Sequence, residues 1–275
     1  MILSEEIITG QNIAARCDYV FAQMHDTGNS GIPVFAKQPP VLNGGELVFC
    51  KTDYVGVFQT VLEKYVSKET PFNLITHDSD YPITDEMFRI VQNRYPNITW
   101  WGMNSCSKFV NSIPIGVANS YCQITMKGKD FQRSISPTRL LYVNHRNETN
   151  PDIRIPAHRM FLDKSWATVH SPMSKGGIDV YKNTLLDHKF ILCPRGNGID
   201  THRLWEALYC GVIPIVIRHQ AHEGLEGNLP ILFVDSYEQV NEDVLNNTYS
   251  DFSRKTWNMG MLMVSWWINK MRSRT

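Results

Sequence analysis

The sequence predicts an α/β protein built of two Rossmann-like halves that face each other across a cleft. Three observations predict it. Apolar runs of strand length alternate with stretches of helical spacing, the pattern of parallel sheets joined by crossover helices. The rhythm breaks once, at residues 123–137, where Gly128, charged side chains and Pro137 replace the apolar pattern, and it then restarts. The length, 275 residues, leaves room for two modest units, since domains run to about 100–200 residues.

In the first half, Glu46–Cys50 (ELVFC) reads as a short buried strand and Val55–Val66, with apolar residues at helical spacing, as a helix. Phe72–Thr76 (FNLIT) is a strand that runs into the polar loop His77-Asp78-Ser79-Asp80. Asp85–Asn93 is a helix with two acids in its first turn, where the helix dipole favours them. Ile98–Gly102 and Phe109–Ile115 read as strands. After the break come strand Arg139–Asn144, a polar loop, an amphipathic helix near Pro156–Lys164 and a strand around Ala167–His170. A helix at Val180–Asp187 leads to strand Lys189–Cys193. Helix Leu204–Cys210 and strands Val212–Ile217 and Ile231–Val234 follow. The units are therefore 1–122, 123–256 and an aromatic tail, 257–275, whose Trp257–Trp267 stretch reads as a core-packing helix.

Composition excludes several classes. Lys plus Arg number 27 and Asp plus Glu 27, so no basic field exists to hold nucleic acid or an anionic lipid surface. The apolar fraction is 43% and the charged fraction 20%, ordinary for a globular chain. Six cysteines without CxxC spacing suggest reduced thiols in a cytosol-like compartment. The opening MILSEEIITG is not a secretory signal, and the most apolar run, Met259–Ile268, falls short of the roughly 20 residues that span a bilayer. A cytoplasmic protein without a membrane span is expected, its oligomeric state open. Without a signal, the sequons at Asn97, Asn147 and Asn246 carry no weight.

The richest segment is Phe190–Val216, FILCPRGNGIDTHRLWEALYCGVIPIV. A buried strand ends at Cys193-Pro194. Arg195, Gly196, Asn197 and Gly198 form a loop whose glycines permit positive φ and close backbone approach. Asp200 and Thr201 are good N-cap residues, so a helix starts there and presents free N–H groups to an anion. Arg195 and Arg203 add guanidiniums suited to phosphate. Glu206, three residues after Arg203, shares its helix face and can accept hydrogen bonds from two ribose hydroxyls. The segment reads as a diphosphate-plus-ribose site at the carboxyl end of a parallel strand, with Asn197, Gly198, Thr201 and His202 among its members. The bland alternative is a surface Arg203–Glu206 ion pair beside a simple turn. The pattern is neither a P-loop nor a GxGxxG fingerprint. A second donor element follows strand Arg139–Asn144, where Arg146 can reach the diphosphate and Asn147 lies beside it. Thr149, Asn150 and Arg154 suit loop architecture as well as ligand contact.

Residues 190–216, together with SIPIGVANS (112–120), LYVNHRNETNPDIR (141–154) and LPILFVDSYEQV (229–240), resemble the signature of exostosin-like glycosyltransferases of family 47 type. The compact size resembles the soluble members in bacteria and large algal DNA viruses, chlorovirus xylosyltransferases among them, which would put the protein in a host cytoplasm. The resemblance implies a GT-B fold, a nucleotide-sugar donor in the C-terminal half and an acceptor in the N-terminal half. It also implies a last helix that crosses back onto the N-terminal domain, inversion at the anomeric carbon and no metal. UDP-xylose as donor and a fucose-containing glycan as acceptor are the sugars it favours. A non-catalytic glycan-binding module that kept the fold is the alternative. A sugar-nucleotide epimerase would need a cofactor fingerprint, and none is found.

Asp78-Ser79-Asp80 is formally the DxD of metal-dependent sugar transferases. It lies far in sequence from the arginine-rich loop, so arginines and a helix N-terminus neutralise the leaving group without metal or cofactor. Inverting transfer needs a base on the acceptor side. His77, Asp78 and Asp80 follow a buried strand, and Asp80 is the first choice. His25 and Asp26 are the fallback pair, and His145 and His202 rank lower because both lie in the donor half.

Overall fold

The computed structural model describes residues 3–21, 35–36, 40–122, 126, 128–131, 136–170 and 177–273. His25 and Asp26 lie outside them, as does much of the 123–137 connector. The protein is α/β, with two five-stranded parallel sheets and, among the described residues, eight α-helices.

The first sheet comprises β1 (Tyr19–Phe21), β2 (Leu47–Lys51), β3 (Phe72–His77), β4 (Ile98–Gly102) and β5 (Asn111–Ser112), in that spatial order and all parallel. The central strands β2 and β3 are buried on both faces, and alternate residues serve different cores. Val48, Cys50, Leu74 and Trp100 pack on α2 (Val55–Leu62) and α3 (Asp85–Arg94) through Phe58, Leu62, Phe88 and Val91. Leu47, Phe49, Ile75 and Trp101 face the opposite way. Strand β5 is far shorter than the predicted Phe109–Ile115. Pro114 has no N–H for a ladder, and the chain beyond it bonds elsewhere.

The second sheet comprises β6 (Arg139–Val143), β7 (Ala167–Val169), β8 (His188–Leu192), β9 (Ile213–Ile217) and β10 (Leu232–Val234). Its spatial order is β10-β9-β8-β6-β7. The winding reverses between β6 and β8, so the loops after these two strands diverge and open a crevice at their carboxyl ends. Helix α4 (Pro151–Met160) begins earlier than predicted, with Pro151 in its first turn and Pro156 inside it. Helices α5 (Gly177–Leu186) and α6 (His202–Cys210) flank the crevice, and α7 (Glu242–Ser253), capped by Asn241, covers the other face with α4.

The predicted Trp257–Trp267 helix divides into a 3-10 turn, Met259–Leu262, and α8 (Val264–Arg272). Helix α8 lies on the first half. Trp267 and Met271 join the core of Leu47 and Phe49, and Arg272 pairs with Asp18 at 3.0 Å. The same core contains Tyr142, Ile191, Leu204 and Trp205 of the second half. The halves thus share one apolar interior. A short helix, α1 (Gly10–Ala15), capped by Thr9, closes it beside α8.

Candidate active site

The crevice at the β6/β8 reversal holds a cavity of about 480 Å³. Of the residues expected there, Arg146, Asn197, Gly198, Thr201, His202, Arg203 and Glu206 line it, and Asp80 reaches it from the first half. Asn147 and Arg195 do not. Arg195 turns back along its own loop, donating to the Asn197 carbonyl at 3.2 Å, and its charge acts on Cys106 and His219 instead.

Arg154 takes the inward place. It is buried, borders the cavity and donates to three backbone carbonyls: Arg146 at 2.9 Å, Pro194 at 3.2 Å and Arg195 at 2.9 Å. It therefore staples the loop after β6 to the loop after β8. Burial, then the neighbouring Arg203 charge, push it down to about 10. Arg203 makes no ion pair among the described residues, and its Nε is buried without a partner. Two neighbouring guanidiniums, neither of them in an ion pair among the described residues, are complementary to an anion. The Arg203–Glu206 surface pair does not form. Glu206 is buried and accepts instead from the Tyr181 hydroxyl at 2.9 Å. Helix α6 begins at this corner. Its N-cap, Thr201, makes no side-chain cap, and its Oγ1 is buried without a partner on the cavity wall.

The glycines act through close approach alone, since neither Gly196 nor Gly198 has positive φ. A Cβ on Gly198 would stand 2.7 Å from Asn104 Nδ2, and one on Gly196 would stand 3.0 Å from Arg154. Asn104 Oδ1 accepts from the N–H groups of Ile199 and Asp200, both at 2.9 Å. Asp200, also fully buried, accepts from Ile115 N and Trp205 Nε1 at 2.9 Å each. The loop after β8 is thereby fastened to the first half, and Asp200 fixes this joint rather than capping α6.

A second cavity, about 490 Å³, opens on the first half. His77, Asp78, Lys51, Asn119 and Tyr121 line it, and it shares Asp80, Ile115 and His202 with the first cavity. Asp78 has positive φ, 57°, which Asp tolerates better than most residues. Its Oδ1 accepts from Asn119 Nδ2 and meets His77 Nδ1, both at 3.0 Å, while Oδ2 is buried without a partner. Burial alone would raise this carboxyl, but the hydrogen bonds and charge from the His77 side, the Asn119 amide and the nearby His202 ring outweigh it and hold it below the usual range. His77 is buried between Asp78 and the Pro114 carbonyl. Since the carbonyl only accepts, Nε2 carries a proton. Asp80 is exposed and accepts from Asn197 across the joint at 3.2 Å.

Of the first choices for a base, only Asp80 stands where the cavities meet. Asp78 and His77 lie deeper. Sequence reasoning passed over Asn104, Asp200 as a joint, and Tyr181. Arg154 carried the one readable signal, a guanidinium within four residues of Asn150 on a helix. Among the described residues no helix is long and apolar enough to cross a membrane. No protein-family model matches the chain, and a search of curated proteins finds no match.

Proposed function

We propose that the protein is an inverting glycosyltransferase that moves a sugar from a nucleotide diphosphate donor to a hydroxyl of a glycan. The observation that carries this reading is the Arg154–Arg203 corner at the sheet reversal, with Glu206 one helical turn along. Arg203, Arg146 and the first turn of α6 hold the diphosphate and stabilise it as it leaves. Glu206 accepts from the ribose hydroxyls. Arg154 acts by holding the two loops in register. The second cavity takes the acceptor, so the reacting atoms meet beside Asp80, Ile115 and His202. Two parallel sheets with a cleft between them, and α8 lying on the first half, support a GT-B arrangement.

Charge neutralisation in this reading comes from guanidiniums and backbone N–H groups. The Asp78 and Asp80 carboxylates point to different partners, His77 with Asn119 and Asn197 respectively, which does not favour a shared cation between them. UDP-xylose and a fucose-bearing acceptor are the sugars we propose on the sequence resemblance.

The test is calorimetry with UDP, GDP and CMP. One nucleotide should bind, and Arg203→Ala should weaken it at least tenfold, since a hydrogen bond to a charged group is worth about 1.5–3 kcal/mol. Unchanged affinity would remove Arg203 from the site. Release of UDP from a UDP-sugar separates an enzyme from a glycan-binding module, and the anomeric configuration of the product checks inversion.

A further inference from the structure

We infer that His202, at the first residue of α6, is the base that takes the proton of the acceptor hydroxyl. The inference rests on the glycosyltransferase reading. His202 borders both cavities, as only Asp80 and Ile115 also do among the described lining residues. Its Nδ1 lies 2.8 Å from the Gly116 carbonyl of the first half. A carbonyl oxygen can only accept, so Nδ1 carries the ring proton and the neutral ring holds its lone pair on Nε2. No protein group among the described residues hydrogen-bonds to Nε2, and it is not one of the buried unpartnered atoms. The imidazole is thus fixed in position and tautomer by the acceptor half, although the residue itself belongs to the donor half.

The Gly116 carbonyl is itself held. Gly116 has φ +66°, and a Cβ there would fall 2.1 Å from the Ile8 carbonyl. The next residue, Val117, donates to that same carbonyl at 2.9 Å. Asp80 is a weaker candidate because it is exposed and already accepts from Asn197. Asp78 is excluded from direct contact because Oδ2 is buried and Oδ1 is committed.

The charged groups that border the cavities around His202 are Asp78 and Asp80 after β3, Lys51 and Asp53 at the end of β2 and just beyond it, Arg146 before α4 and Arg154 within it, and Asp200, Arg203 and Glu206 at the start of α6, with His77 as the other imidazole. Asp78 is close enough for its charge and that of His202 to interact, so it stabilises the imidazolium as it forms. It is a positioning residue. The step balances. The acceptor oxygen forms its bond to the anomeric carbon as the bond from that carbon to the diphosphate oxygen breaks. The diphosphate leaves with the electron pair, the hydroxyl proton passes to Nε2, and it is later lost to water.

The test compares wild type, His202→Gln and His202→Asn in sugar transfer and in nucleotide calorimetry. Asn can still donate to the Gly116 carbonyl, which keeps the fold in reach if Gln does not. Both variants should bind UDP within about threefold of wild type and lose about 10²–10⁴ in kcat. The acid limb of kcat/KM, set by imidazole in the wild type, should vanish. It should remain in Asp80→Asn. Added imidazole should restore part of the activity of His202→Gly. If UDP binds normally and His202→Asn keeps both its rate and its acid limb, the base is elsewhere and this inference falls alone. If wild type binds no nucleotide, the glycosyltransferase reading falls and takes the inference with it.

Discussion

Asp78 holds the left-handed conformation, its carboxylate ionised between His77 and Asn119. Asparagine tolerates that conformation too, so Asp78→Asn should fold while removing the charge near His202. The imidazolium that forms during transfer then lacks a neighbouring anion, so kcat should fall about tenfold while UDP affinity stays within about threefold of wild type. An unchanged kcat would disconnect the two residues. His145 gives a pH effect. It is buried, bonds the Arg154 carbonyl at 3.0 Å, and is pushed down to about 3 by burial first. An unfolded histidine titrates near 6.5. Below that pH the unfolded chain binds a proton that the folded one refuses, so stability is lost as pH falls, by up to about 1.4 kcal/mol per pH unit. His145→Gln should show a shallower fall of the urea midpoint between pH 7 and 5. Identical slopes would assign the effect elsewhere. At this scale Arg203 and Glu206 were legible because their spacing fixes a helix face at a strand end. Arg195 was not, since the turn after Pro194 decides which way its side chain leaves. Arg154 was ambiguous because three backbone carbonyls, invisible in sequence, take up its guanidinium.

Helix α6 and the loop before it are positioned by contacts from outside their own segment. Gly198 lies against Asn104, so Gly198→Ala would drive a methyl to within 2.7 Å of that amide. The bonds from Ile199 and Asp200 to Asn104 must then shift. The cost should be about 1–3 kcal/mol, read as a lower melting temperature with weakened nucleotide binding. A variant as stable as wild type would show that the loop has slack. The segment Ile113–Asn119 is the counterpart on the other half. Pro114 and Gly116 offer carbonyls to His77 and His202, and Ile115 donates to Asp200. The sequence suggested a strand over Phe109–Ile115, which includes the start of this segment, because its residues are apolar and branched. Periodicity records burial, and burial is what these residues have, but beyond Ile113 their backbone groups bond to His77, Asp200, His202 and Ile8 instead of to one neighbouring strand. The strands β3, β4, β8 and β9 lie within a residue or so of their predicted bounds, because each is rich in β-branched and aromatic residues. The single-turn pieces and α1 carry too few residues to register a period.

Two parallel sheets were readable from the alternation of apolar runs and helical stretches. Their strand orders were not. The first runs β1 to β5 without a reversal, and the second reverses at β6 and β8. Nothing in local sequence distinguishes the two, because strand order is set by which crossover helix finds room on which face. That one reversal decides which half carries the crevice. The shared interior was equally invisible, since a linker near residues 123–137 reads as a boundary whether or not cores merge behind it. With Leu47 and Phe49 in the same apolar cluster as Leu204, Trp205 and Trp267, unfolding in urea should be one transition followed alike by tryptophan fluorescence and circular dichroism. Two separate midpoints would mean that the cluster does not couple the halves. The merged interior has a mechanical meaning as well. A clamp whose jaws are welded at the root has little compliance for swinging shut on its cargo. Adjustment to a ligand is then left to the rim, where Arg146, on the first cavity, and Tyr81, on the second, are exposed side chains standing clear of that interior.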